Sequence, residues 1–105
     1  MAFIRVKEIC PAAMTEEQGL LVRSAMAPFM DAGEQVVLDF SGISLFATMF
    51  FNAGIGYYVL RKGSGYCGRN IRLVNISGLG AETYGFSLSN ARAYAASCGA
   101  QRGTP

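Results

Sequence analysis

No charged residue occurs between Asp39 and Arg61, and that gap limits what this chain can fold into more than any other feature. Just before it, Val36-Val37-Leu38-Asp39-Phe40 is a short apolar run rich in β-branched residues and carrying one acid, the pattern of a buried strand. Ser41-Gly42 then supplies a small-residue turn. The following run to Leu60 is long enough for a helix and too densely apolar for an exposed one. Strand, loop and buried helix are the expected centre of a small α/β domain.

The same uncharged run is also long enough to cross a bilayer, and Arg61-Lys62 would give it a positive flank. Against that, Asn52 would sit at mid-membrane, and Ser41, Gly42, Ser44 and Thr48 dilute the first half. The preceding strand also needs neighbours to pair with. A helix buried inside a cytoplasmic domain, with no membrane contact, is the expectation.

At 105 residues, 51% apolar and 15% charged, the chain can bury one core without staples. One domain is expected over residues 1–100, with 101–105 a disordered tail. So little polar surface points to a protein partner or a homodimer. Nine basic residues scattered among seven acids are not a nucleic-acid footprint. The densest basic group, Arg61, Lys62, Arg69 and Arg72, reads as a solvated rim. Cys10, Cys67 and Cys98 lack C-x-x-C spacing and read as free thiols of a reducing compartment. Histidine is absent, which removes the commonest general base and metal ligand.

In chain order, residues 3–9 alternate well enough for a first strand, with Ile4, Val6 and Ile9 competing for its inner face, and Pro11 ends it. Thr15 and Gln18 are spaced as a capping box. Leu20, Leu21, Ala25, Met26 and Phe29 follow helical spacing, and the helix kinks at Pro28 or ends near it. Asp31-Ala32-Gly33 leads into the Val36 strand. Residues 62–68 spell G-x-G-x-x-G, but they leave a helix and enter a strand, the reverse of the dinucleotide motif. They read as a mobile loop. Residues 71–76 are the third strand, residues 81–85 a helical turn, and Ser89 the cap of a last helix that Gly99 stops. The order β-α-β-α-β-α predicts a mixed or parallel sheet backed by helices, with right-handed crossovers where strands are parallel.

The chain offers little for catalysis. Asp39 stands at the carboxyl end of the central strand, where α/β sheets present ligands, without a base or second carboxylate nearby. It reads as an acceptor that orders the loop it opens. Nothing in the sequence would activate Ser41, Ser44 or Thr48 as nucleophiles. The aromatics Phe46, Phe50, Phe51, Tyr57 and Tyr58 read as core, and Asn52 as a surface position or an interface hydrogen bond. Neither a cofactor nor a metal is expected.

Val-Val-Leu-Asp-Phe-Ser-Gly-Ile, the helix after it and Ile-Arg-Leu-Val-Asn-Ile together resemble the STAS domain family, and more closely its STAS-like branch of small stand-alone proteins. The resemblance spans residues 33–96. It implies an α/β fold with a sheet backed by helices and a non-enzymatic regulatory role, exercised by binding a protein through the loop and helix after Asp39. In anti-sigma factor antagonists the partner is a histidine-kinase-like ATPase, which phosphorylates a Ser or Thr at the start of that helix. Carried over, the partner face holds Ser44, Phe46, Thr48, Met49, Phe50 and Asn52. The usual phosphorylated position falls on Met49 and the aspartate before it on Ala47, which leaves Thr48 as the hydroxyl open to phosphorylation. The residues themselves also admit a small-ligand or nucleotide-binding domain using the loop after Asp39, or a structural homodimer.

Overall fold

Val36–Asp39 (β2) is the middle strand of a three-stranded parallel sheet and is buried at all four positions. In a computed structural model, the backbone is described for residues 1–102 and the side chains for residues 1–97. The elements are β1 (Ala2–Arg5), α1 (Val6–Ile9), α2 (Glu16–Asp31), β2, α3 (Thr48–Ala53), α4 (Ile55–Lys62), α5 (Ser64–Asn70), β3 (Ile71–Val74) and α6 (Gly78–Arg102). The sheet order is β1-β2-β3. Its register places Phe3, Val37 and Arg72 in one row and Arg5, Asp39 and Val74 in another. The architecture is therefore α/β, a parallel sheet backed by helices.

Side chains alternate across the sheet. Ala2, Ile4, Val36, Leu38 and Ile71 point to one face and join Val22, Met26, Met30, Phe40, Phe50, Phe51 and Ile55 in a single buried core. The other face carries Phe3, Arg5, Val37 and Arg72. Phe3 is 58% exposed there, and Val37, though covered by its neighbours, lies outside the core cluster.

Helix α2 begins with a complete capping box. Gln18 N donates to Thr15 Oγ1 at 3.0 Å and Thr15 N donates to Gln18 Oε1 at 3.1 Å. The helix buries Gly19, Val22, Met26 and Met30 and runs through Pro28 to Asp31. Leu20 and Leu21, expected on its apolar face, are exposed. The buried set keeps the three- and four-residue spacing of one helix face, so Leu20 and Leu21 fall off it. Gly33 closes the element in the left-handed region at φ 75°, where glycine is unstrained.

Five expected elements differ from the structure. The third strand, expected over residues 71–76, ends at Val74. The first strand stops at Arg5, and Val6–Ile9 form a single helical turn that buries Val6. The buried helix after the loop is two helices, broken at Gly54, where the chain passes over Gly19. A Cβ on Gly54 would meet the Gly19 carbonyl oxygen at 3.3 Å. The glycine-rich segment is helix α5 rather than a loop, because burial of Cys67 and packing of Tyr66 against the core override the low helix propensity of glycine. The turn, the Ser89 cap and the Gly99 stop merge into one helix, α6, that continues to Arg102. Ser87 and Ala91 are buried on it and Tyr84 packs on Phe51, with ring centroids 5.3 Å apart, so packing carries the helix past Ser89. Of the expected tail, Gln101 and Arg102 are helical and residues 103–105 lie outside the described residues.

Among the described residues no helix is long and apolar enough to cross a membrane. The uncharged run instead supplies the aromatic centre. Phe40 lies 6.1 Å from Phe46, 6.3 Å from Phe50 and 5.9 Å from Phe51 between ring centroids. The Arg61 and Arg23 guanidinium groups both sit over the Tyr57 ring, at 4.7 Å and 4.0 Å from its centroid. Cys10 and Cys67 are free and buried, and burial pushes both thiols above their usual range. The Cys98 side chain lies outside the described residues.

Candidate functional site

Residues 40–47 join the carboxyl end of β2 to α3, and three sets of contacts hold them in place. The first centres on Asp39, whose Oδ1 accepts from Ser41 N at 2.9 Å, Ser41 Oγ at 2.7 Å and Asn75 Nδ2 at 3.0 Å. Asn75 reaches it because β3 lies beside β2 and because its own backbone is left-handed, at φ 55°, a conformation asparagine tolerates better than most residues. These hydrogen bonds, the one from Asn75 foremost, hold the Asp39 carboxyl below the usual carboxylate range.

The second contact is Lys7, whose Nζ donates to the Gly42 carbonyl at 2.9 Å. Gly42 itself has φ 80°, and Ile43 N closes a turn onto Phe40 O at 3.0 Å. The third is a parallel bridge between Ala13 and Phe46, in which Ala13 N donates to Leu45 O at 3.0 Å and Ala47 N to Ala13 O at 2.8 Å. This bridge sets the alternation of the loop. Phe46 turns inward onto Phe40 and Phe51, and Leu45 turns outward, 59% exposed.

Of the residues expected on a partner face, Ser44 is exposed, Thr48 is half-buried at the first position of α3, and Met49 is 55% exposed. Phe46 is partly buried against the core. Phe50 is corrected. It is 1% exposed, inside the aromatic cluster, and could meet a partner only if the core opened. Asn52 is engaged within the chain, its Oδ1 accepting from the buried Ser87 Oγ at 2.6 Å. The sequence pattern missed Leu45, since only the Ala13 bridge shows which way it points. It also missed Lys7 and Asn75, whose roles arise from strand neighbours far away in sequence.

A concavity of ≈ 380 Å³ opens beside Arg5, Lys7, Glu8, Asp39 and Ser41. Of the two acids that line it, Glu8 is exposed and Asp39 already serves three donors on one oxygen. Among the described residues no three His, Cys, Asp or Glu side chains gather as metal ligands, and no buried side-chain nitrogen or oxygen lacks a partner. What the site offers chemically is a fixed loop running into α3, with two apolar side chains in solvent, Leu45 on the loop and Met49 on the helix, and the Thr48 hydroxyl between them in sequence.

Neither a curated protein nor a solved structure matches the chain. One family profile does, that of the STAS-like domain of unknown function (DUF4325), over residues 18–80. That span runs from α2 through the loop and α3 to the start of α6. With more than half of its length matched, the chain belongs to this STAS-like domain family.

Proposed function

We propose that this protein is a non-enzymatic regulatory module of the cytoplasm that binds another protein through residues 41–49. A histidine-kinase-like ATPase of the anti-sigma type is the first candidate partner. One observation carries the reading. Leu45, on a loop whose backbone is fastened by Asp39, Lys7 and Ala13, and Met49, in the first turn of α3 that the loop leads into, are large apolar side chains, 59% and 55% exposed. An apolar anchor on a preorganised loop loses little conformational freedom on binding, and that saving favours affinity.

Thr48, at the helix start between the two anchors, is the hydroxyl at which a phosphate would act. There it would gain from the helix dipole, yet its charge would enter an apolar contact and oppose the partner. Phosphorylation would thus release rather than recruit.

The test is co-purification of wild type, Leu45→Asp and Met49→Asp with the candidate ATPase. Recovery should fall at least about tenfold for either variant, with melting temperatures close to wild type because both side chains are exposed. Undiminished recovery for both variants overturns the proposal. Incubation with the ATPase and ATP, followed by intact-mass measurement of wild type and Thr48→Ala, reads the switch separately.

A further inference from the structure

All-parallel sheets are almost always covered on both faces, and among the described residues helices cover this one on one face. Its second face carries Phe3, Arg5, Val37, Asp39, Arg72 and Val74. Phe3 is 58% exposed and Arg5 and Arg72 are exposed, while every residue of β1–β3 buried in the core cluster lies on the opposite face. We propose that this open sheet face is a second docking surface, independent of the loop face above, and that its occupant is an acidic amphipathic helix of another protein.

Size argues for a single helix. Three strands at ~4.8 Å spacing and four residues at ~3.3 Å rise give a patch roughly 14 Å wide and 13 Å long. One helix, about 10–12 Å across, covers it. Charge argues for an acidic helix. Arg72 has no ion-pair partner among the described residues, and Arg5, which lies across from Asp39 on this face, makes an exposed ion pair to Glu8 at 3.8 Å, an arrangement worth little in water. Arg69 extends the basic side beyond Arg72 and shares a concavity of ≈ 290 Å³ with Val37 and Met1.

Spacing defines the ligand further. Phe3 is the exposed apolar residue of the face, in register with Val37, which is 7% exposed. Arg72 lies at one edge of the sheet and Arg5 at the other, displaced by two residues along the strands. That displacement is about 6.6 Å, near one helical turn of ~5.4 Å. A helix with an apolar stripe and carboxylates one turn apart on opposite flanks meets all three features.

The probe is a synthetic helical peptide of about 20 residues, long enough to hold helix in water, with a leucine stripe flanked by glutamates. A control peptide carries lysines in place of the glutamates. Titration is followed by amide chemical shifts of the isotope-labelled protein. Saturable shifts centred on Phe3, Val37 and Arg72 are expected, with the lysine peptide at least about tenfold weaker. Arg72→Glu should weaken glutamate-peptide binding by a similar factor, as should Phe3→Ser, and Met49→Asp should leave it unchanged. Arg72→Glu alters only an exposed side chain and carries the test if Phe3→Ser does not fold. Absence of saturable shifts on this face overturns the proposal, as does equal affinity for both peptides. So does sedimentation showing a dimer that Phe3→Ser dissolves, since a second copy would then be the cover.

Discussion

A single carboxylate oxygen gathers the loop, the third strand and the central strand. Asp39 titrates below its ordinary range because Asn75 and Ser41 donate to its ionised form. A depressed folded value means that its stabilising contribution is present above the unfolded value of about 3.9 and is lost as pH falls through the lower folded value. Asp39→Asn should therefore melt below wild type at neutral pH, with the difference closing under about pH 4, as thermal melts across pH will read. Next to it in consequence are two neighbours in sequence, Met49 and Phe50. Met49→Asp should leave the melting temperature nearly unchanged, whereas Phe50→Ala should cost about 3–5 kcal/mol in denaturant unfolding, because only Phe50 is buried. The acid at the strand end was legible in the sequence, since an apolar run closing on one Asp has few other uses. Asn75 was not, because its role needs β3 beside β2 and a left-handed backbone, neither of which local pattern encodes.

Among the elements, α2 and α3 are in the closest contact. A Cβ on Gly19 would run into the Phe50 carbonyl oxygen and lie 2.9 Å from the Ala53 Cβ. Gly19→Ala should consequently destabilise by about 1–3 kcal/mol in urea unfolding, although alanine is the better helix former in isolation. Pro28 is the opposite case, exposed and inside the helix. Pro28→Ala should raise stability by about 1–2 kcal/mol, the helix gain being partly offset by a freer unfolded chain. The capping box of α2 could be read directly, since Thr15 and Gln18 satisfy one another locally. The glycine-rich α5 and the unbroken α6 could not. Local preference favours a loop and a split there, and the winning terms are tertiary, the burial of Cys67 and the seating of Tyr84 and Ser87.

For the molecule as a whole, stability should be graded from the middle strand outward. Every β2 residue is buried, and on α6 Ala91 is the last buried residue among the described side chains, with 92–97 all exposed. Native-state hydrogen exchange should show β2 amides opening only with global unfolding, and amides of residues 92–97 exchanging at much lower cost. A mixed or parallel sheet backed by helices followed from the strand–helix alternation of the sequence, and the structure makes it parallel. The open second face did not, since it follows from right-handed crossovers together with the strand order β1-β2-β3, which puts both connections on one side, and local pattern does not encode that strand order.

The meeting of Gly19 with Gly54 and the Phe50 carbonyl has a mechanical meaning. Two helices touching main chain to main chain have no pliable side-chain cushion between them. A pull or push delivered at Met49 must therefore reach the sixteen-residue rod of α2 with almost no play, so the two would shift together or not at all.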